Sequence, residues 1–168
     1  MKTMGIDLGI RKIALAAWHD DVLVQTEAWE SPAGHRANQL ADLAMYAMGF
    51  AAMWEPDYIF IEDTLVGNNV KYSLQLTEVK GAVLAVLGPM MRLTALKGVI
   101  AVNNKTWKKE VLGNGNASKD MVREYLYSRD SAYSVLCGND QDRFDAAAIG
   151  FYGYIVATRA ESLHLADA

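Results

Sequence analysis

Residues 3–18 read TMGIDLGIRKIALAAW, and the fold can be worked out from this stretch. An apolar run over Thr3–Leu8, a turn at 9–11 and a second apolar run over Lys12–Trp18 predict two strands joined as a hairpin. A third strand is predicted over Val22–Ala28. The chain therefore opens with three short strands in an antiparallel meander.

After this meander, strands are predicted to alternate with helices. Long runs rich in Ala, Leu and Met predict helices, while short β-branched or aromatic runs predict strands. The predicted elements are a helix over 35–54, a strand over Asp57–Glu62, a helix over Val70–Leu87 that ends near Gly88 and Pro89, a strand over Gly98–Val102, and three helices over Thr106–Leu112, from about Ser118 to Tyr127, and from Asn139 or Asp140 to about Ala160. Strand–helix–strand connections are normally right-handed, so the later strands should lie parallel to the first.

This order predicts an α/β protein. The sheet has five strands and is mixed, because three antiparallel strands are followed by parallel ones, and helices cover both faces. The chain has 168 residues, of which 52% are hydrophobic and 21% are charged. That length and composition are typical of one globular domain, here spanning 1–168.

The composition also bears on the compartment. Cys137 is the one cysteine, so no intramolecular disulfide can form, and this favours a reducing compartment. The longest uncharged apolar stretch, 43–54, is shorter than the roughly 18 residues that a membrane helix needs. Asp7 lies where a signal peptide needs its apolar core, so we do not expect the protein to be secreted. We expect a cytoplasmic protein with no membrane partner, located at the nucleoid or, if the gene is viral, in the host cytoplasm.

Charge is distributed unevenly along the chain. The net charge is −4, from 16 basic and 20 acidic residues, which by itself argues against a nucleic-acid partner. The segment from Arg92 to Arg129, however, contains eight basic residues and three acidic ones. This distribution fits a polyanion-binding surface beside a metal site, and it fits two ordinary solvated faces equally well.

Two acidic residues lie in or at the end of apolar strands. Asp7 interrupts the run Met4–Gly9, and Glu62 ends the run that begins at Ile59. A charge in such a strand is costly unless it is paired, coordinated or exposed to water at the end of the sheet. If the two strands are parallel neighbours, Asp7 and Glu62 project from adjacent positions at one rim, while Asp63 points to the opposite face.

A second acidic pair is predicted at the start of the last helix. Asp142 and Asp145 are three residues apart, which places them on one helical face, where their charges repel unless a cation lies between them. The small run Ala146–Ala148 would let this helix approach the sheet closely. An exposed acidic pair in the first turn of a helix is also ordinary in proteins without a site. Asp140 is close enough in sequence to replace either aspartate.

Four carboxylates that converge from two strands and a helix cannot all stay ionised without a cation. The set contains no histidine or cysteine, so its ligands are hard oxygens that suit Mg²⁺ or Mn²⁺. Two such ions roughly 4 Å apart would clamp the attacking water and the leaving oxygen of a phosphodiester displacement. The sequence thus predicts a metal-dependent phosphodiesterase that needs no serine or cysteine nucleophile.

The chain resembles the RuvC-type Holliday junction resolvases of the ribonuclease H-like superfamily. Each matching motif is weak alone, but the motifs occur in the family's order and cover nearly the whole chain. They are Gly5-Ile6-Asp7-Leu8-Gly9, with Leu8 where proline is usual, Ile61-Glu62-Asp63-Thr64-Leu65, the helix Asn69–Gly81, the lysine-bearing segment Lys108–Lys119, and the pair Asp142 and Asp145.

The resemblance implies a ribonuclease H-like fold and a homodimer that nicks two symmetrically related strands of a four-way junction. Its metal ligands and catalytic residues would be Asp7, Glu62, Asp142 and Asp145, with two Mg²⁺ or Mn²⁺ ions per site. The residues implied to contact DNA are Lys108, Lys109, Lys119, Asn69 and Leu65. Leu65 stands where the family often has an aromatic residue, and an apolar wedge can separate bases without stacking on them. These motifs do not identify a branch-migration motor.

Other functions fit parts of the same pattern. A ribonuclease acting on RNA–DNA hybrids would use a similar set of acids, and a non-catalytic protein that binds junctions as a dimer would need only the basic surface. The residues Ile6–Gly9 also resemble the first phosphate loop of actin-like kinases, but those enzymes need two lobes and further glycine-rich loops. Lysines 105, 108 and 109 on a short helix are often only solvent-facing, and Gly113–Gly115 is an ordinary turn unless it binds a phosphate.

Overall fold

The structure is a computed structural model that describes residues 1–63 and 69–166, with side chains described as far as residue 163. Its elements are β1 (Lys2–Leu8), β2 (Lys12–His19), β3 (Val22–Glu30), α1 (Arg36–Trp54), β4 (Tyr58–Glu62), α2 (Val70–Leu93), β5 (Gly98–Val102), α3 (Asn104–Leu112), α4 (Lys119–Arg129), α5 (Ala132–Cys137) and α6 (Gln141–Ala166). No helix in the described ranges is both long and apolar enough to cross a membrane.

The five strands form one sheet in the order β3-β2-β1-β4-β5. β2 pairs antiparallel with both β1 and β3, whereas β4 is parallel to β1 and to β5. The predicted mixed sheet is therefore confirmed. In the parallel pair β1–β4, Gly5 lies beside Phe60 and Ile6 beside Ile61, so Asp7 and Glu62 are the next residues of two adjacent strands.

Helix α6 crosses one face of the sheet at very close range. A Cβ atom built on Gly5 would lie 2.1 Å from the carbonyl oxygen of Ala146. Thr3 Oγ1 donates to the Gly150 carbonyl at 3.1 Å, and Trp18 Nε1 donates to the Ala147 carbonyl at 3.0 Å. The expected close approach of the alanine run is confirmed, and it also requires Gly5 and Gly150, since a Cβ on Gly150 would lie 2.6 Å from Trp18 Cδ1.

The opposite face carries a second apolar core. There α1 and α2 cover alternate residues of the strands, including Met4, Ile6, Leu15 and Ile59. The core under α6 also receives side chains from α3, α4 and α5. Helices thus lie on both faces of the sheet, as predicted.

Helix α2 continues past the predicted stop at Gly88 and Pro89 and ends at Leu93. Pro89 cannot donate to the carbonyl of Ala85, but both residues are exposed, so water can hydrogen-bond that carbonyl. Leu87 is fully buried on the other side of the helix. Packing of the buried side therefore extends the helix through a sequence that normally ends one.

The sequence prediction also missed α5. Ser131, which precedes this short helix, makes no side-chain capping bond, and the local cap is instead Asp130, whose Oδ1 accepts the backbone N–H of Ala132 at 2.8 Å. Tyr133 and Cys137 are buried in the α6-side core, and the carbonyl of Leu136 accepts a hydrogen bond from Thr26 at 2.5 Å. Tertiary contacts hold this helix, and they are not visible in the local pattern.

Candidate active site

Asp7 and Glu62 meet at the carboxyl ends of β1 and β4. Side chains alternate along a strand, so Asp7 lies on the same face as Gly5, and Glu62 on the same face as Phe60. That is the face covered by α6. Asp63 points to the other face, where it forms an ion pair with Lys80 of α2.

The first turn of α6 brings two more carboxylates to the same place. Asp7, Asp142 and Asp145 each offer an oxygen, and these three oxygens all lie within 4.8 Å of one another. Asp145 is buried, with 7% of its surface exposed. Because α6 is held against the sheet at Gly5, its first turn is fixed above the end of β1. The close approach of the helix therefore assembles this cluster.

Glu62 lies in the same cleft but outside the tight group of three. The cleft is open, has a volume of about 570 Å³, and is lined by all four predicted acids. The amide of Asn104, the first residue of α3, donates a hydrogen bond to Glu62 Oε1. The structure thus gathers the four acids in one cleft, with Asn104 holding the fourth.

The electrostatics of these acids are unfavourable without a cation. Burial raises the pKa of Asp7 well above its ordinary value, and the negative charges of Asp145, Glu62 and Asp142 raise it further. Burial likewise raises the pKa of Glu62 and that of Asp145. Each group is therefore protonated more easily than a free carboxylic acid, which is expected where several acids share a site.

Two lysines lie against the acids. Lys119 Nζ is 3.6 Å from Asp145 Oδ2 and 3.9 Å from Asp142 Oδ1. Lys12 Nζ lies 2.8 Å from both oxygens of Asp140 and 2.8 Å from Asp142 Oδ2. Burial lowers the pKa of each lysine, but the neighbouring carboxylates outweigh it, so both pKa values are raised.

Lys12 and Asn104 are site residues that the sequence prediction missed. Lys12 could have been found, because Asp7 pairs with Ala14 across the hairpin and Lys12 is two residues from Ala14, on the same face. Asn104 gives no such signal, since α3 is connected to Glu62 only through the fold. Lys105 also lines the cleft.

The other predicted residues have varied locations. Lys108 and Lys119 line the cleft, whereas Lys109 is exposed on α3 and does not. Asn69 caps α2 by accepting the backbone N–H of Tyr72 at 3.0 Å. Leu65 lies outside the described residues.

Asp140 does not replace Asp142 or Asp145 in the group of three. Its carboxylate accepts hydrogen bonds from Lys12 and from the backbone N–H of Asp142, at 3.1 Å. Burial raises the pKa of Asp140, but the hydrogen bonds from Lys12 and from the Asp142 backbone, together with the positive charges of Lys12 and Arg143, outweigh that effect and lower the pKa overall. Asp140 is thus a paired residue at the start of α6.

The donor set fits a hard divalent cation. The three clustered ligand groups are carboxylates, and Glu62 supplies further oxygens at the same cleft. Mg²⁺ and Mn²⁺ prefer oxygen ligands of this kind. Asp7, Asp142 and Asp145 are the residues that could hold a metal ion together.

Comparison with known proteins gives a family match in sequence and matches in structure. The sequence profile described as "Crossover junction endodeoxyribonuclease RuvC" matches residues 3–129. No curated protein is similar enough in sequence to match the chain.

Three solved structures share the fold. The chain is 17% identical to Thermus thermophilus RuvC, with a TM-score of 0.75 over 94% of this chain and 96% of that one. It is 18% identical to T. thermophilus RuvC in complex with a Holliday junction substrate, with a TM-score of 0.77 over 95% of this chain and 96% of that one. It is 15% identical to the yeast mitochondrial Holliday junction resolvase, with a TM-score of 0.63 over 97% of this chain and 85% of that one. These likenesses confirm the ribonuclease H-like α/β fold class.

Proposed function

The chain belongs to the RuvC family of crossover junction endodeoxyribonucleases, and we propose that its acidic cleft is the site where this enzyme hydrolyses phosphodiester bonds of a Holliday junction. The carboxylates proposed as metal ligands and catalytic residues are Asp7, Glu62, Asp142 and Asp145. The observation that carries the proposal is the meeting of three of them within 4.8 Å, from parts of the chain that are far apart in sequence. Such a cluster costs stability, so a functional cation best explains it.

We propose Mg²⁺ or Mn²⁺ as the metal, with two ions in each active site. When bound, such ions polarise a phosphate and activate the attacking water. The protein's own residues supply the positions of the ligands. The backbone of β1 carries Asp7, Asn104 orients Glu62, and Gln141 donates to Asp145 Oδ1 at 3.3 Å.

The lysines of the cleft are proposed to contact the DNA backbone. Lys105 is exposed and Lys108 is half-buried, and both line the cleft beside the acids. Lys119 is 63% exposed, so its side chain can turn from the carboxylates to a phosphate. Because these lysines release counterions from the phosphates that they contact, binding should weaken as salt rises, with a slope set by the number of phosphates contacted.

Three further DNA contacts are proposed, of which Lys109 and Asn69 lie outside the lining of the cleft. Lys109 is exposed next to Lys108, and Asn69 is exposed at the start of α2. Leu65 is retained as a junction wedge on the family resemblance alone. These residues are expected to affect the choice of substrate more than the chemical step.

We further propose that two copies form a homodimer, each copy being one nuclease domain over 1–168 that works in the cytoplasm. The first turns of α2 leave apolar side chains exposed, with Val70 at 57% and Leu74 at 62%. Pairing of these surfaces would bury them and set two active sites in symmetric positions. Sedimentation of the purified protein at several concentrations tests the assembly, and a monomer at all concentrations contradicts it.

The direct test uses a synthetic four-way junction with Mg²⁺ or Mn²⁺. Wild-type protein should make paired symmetric nicks, and Asp7→Asn or Glu62→Gln should slow cleavage by about a thousandfold or more, because each removes a group that acts as part of one unit. Asp42→Asn is the matched control, since Asp42 lies on α1 and accepts from Ser31 at 2.7 Å, away from the cleft. Cleavage at the wild-type rate by either active-site variant contradicts the assignment.

Substrate choice is tested in the same assay. Junction, flap, linear duplex and RNA–DNA hybrid are offered at equal concentration, and the junction should be cleaved fastest. Preference for the hybrid would instead indicate a ribonuclease. Junction binding without nicking under any metal condition would indicate a non-catalytic binding protein.

A further inference from the structure

Lys12 is held in the cleft more firmly than Lys119. Its Nζ makes three contacts of 2.8 Å, two with Asp140 and one with Asp142. The Lys12 side chain is 34% exposed, whereas Lys119 is 63% exposed and comes no closer than 3.6 Å to a carboxylate oxygen. Lys12 is thus a built-in cation on one flank of the acidic cluster.

The contacts of Lys12 distinguish the two oxygens of Asp142. Oδ2 is bound by Lys12, while Oδ1 faces Lys119 at 3.9 Å. Asp140 adds a second restraint, because it binds Lys12 and also accepts the backbone N–H of Asp142. Main chain and side chain at the start of α6 are therefore both tied to β2.

We propose that Lys12 is a positioning residue for Asp142. Lys12 holds Oδ2 of Asp142, so that only Oδ1 of this carboxylate is available to a metal ion. The same contacts keep Asp140 from replacing Asp142 as a ligand. A carboxylate that is free to rotate binds a cation through either oxygen or both, whereas a held one presents a single geometry. This inference rests on the proposed function of the acidic cluster.

The rival explanation is that Lys12 only fills the place of a cation and leaves when one binds. Wild-type protein distinguishes the two in NMR spectra of the lysine ammonium groups during a Mg²⁺ titration without DNA. The Lys12 signal is assigned by its loss in Lys12→Arg. At saturating Mg²⁺ the Lys12 ammonium group should remain hydrogen-bonded, and its protons should still exchange slowly with water. Loss of that slow exchange as Mg²⁺ binds overturns the proposal.

Variants provide a second test that includes a readout besides activity. Lys12→Met removes the charge and frees Asp142 Oδ2, so Mn²⁺ binding, measured by calorimetry without DNA, should be as tight as in wild type or tighter. Junction cleavage at saturating Mn²⁺ should nevertheless slow by about tenfold or more, since Asp142 is no longer oriented. Weaker Mn²⁺ binding, or cleavage within tenfold of wild type, overturns the proposal.

Two more variants complete the set. Lys12→Arg keeps the charge and the donors and should cleave faster than Lys12→Met, and equal rates would contradict the positioning role. Arg11→Met is the matched control, because Arg11 pairs with Glu30 at 3.5 Å on an exposed surface. If wild type nicks no junction, the proposed function fails, whereas the Mg²⁺ and Mn²⁺ titrations still decide the role of Lys12.

Discussion

Helices pack on the two faces of the sheet through different kinds of contact, backbone against backbone on one face and side chain against side chain on the other. On one face, α6 approaches until a Cβ on Gly5 would overlap the carbonyl oxygen of Ala146. On the other face, α1 and α2 lie on branched aliphatic side chains such as those of Ile6 and Ile59. Backbone contact leaves α6 no room to move closer to β1, whereas aliphatic side chains can repack when a helix shifts. Both faces bury an apolar core, but only the face under α6, here called the glycine face after Gly5, also positions the acids of the site.

The largest expected effect on stability comes from adding a methyl group where Gly5 contacts α6. Gly5→Ala should destabilise the protein by about 3 kcal/mol, because the new methyl group meets backbone atoms of α6 that cannot move aside alone. Gly81→Ala is the matched control on α2, where an added Cβ meets nothing within 4 Å. That change should stabilise the helix by about 0.5–1 kcal/mol. Urea denaturation measures both, and equal effects would remove the contrast between the faces.

Metal binding at the acidic cluster should stabilise the folded protein. Mn²⁺ at a hundred times its dissociation constant should raise the free energy of unfolding by about 2.7 kcal/mol, because the folded cluster binds the ion and the unfolded chain does not. Asp7→Asn should lose most of this gain, and Asp42→Asn should keep it. Thermal melts with and without Mn²⁺ measure the difference, and the same gain in all three proteins would place the binding elsewhere.

A smaller effect is expected from the charge of Asp7 in metal-free protein. Its pKa is raised in the folded state by burial and by neighbouring acids, so the folded protein takes up the proton more readily than the unfolded chain does. The ionised form therefore costs stability above the folded pKa, and this cost disappears as pH falls toward about 4. Asp7→Asn should be more stable than wild type by about 0.5–2 kcal/mol at neutral pH. This difference in stability should vanish in acid. A difference that grows as pH falls would contradict the raised pKa of Asp7 in the folded state.

Much of the fold could be predicted because each strand face is set by alternation along the sequence. Alternation placed Asp7 and Glu62 on one side and Asp63 on the other, and the parallel pairing of β1 with β4 then set the two acids side by side. The errors came where distant contacts override local signals. α2 passes Pro89 because one side of it is buried, and α5 forms because Tyr133 packs in the core.

The candidate site divides in the same way. Its acids interrupt or follow apolar patterns, so they stand out in the sequence. The groups that orient them do not, because an asparagine at the start of α3 looks like any helix-capping or loop residue until Glu62 is beside it. Lys12 is intermediate, since alternation assigns the face on which it lies but not its contacts with Asp140 and Asp142.

Cys137 offers the mildest test of how firmly the glycine face is closed. It lies 1% exposed in the core under α6, and burial raises the pKa of its thiol to about 11. At pH 8 only about one thiol in a thousand is ionised, so native protein should react with a thiol reagent only when it opens. Gly5→Ala should speed this labelling in step with its loss of stability, whereas Gly81→Ala should not. Rapid labelling of wild type would mean that this face opens without unfolding, and the positioning of the acidic cluster would then need another source.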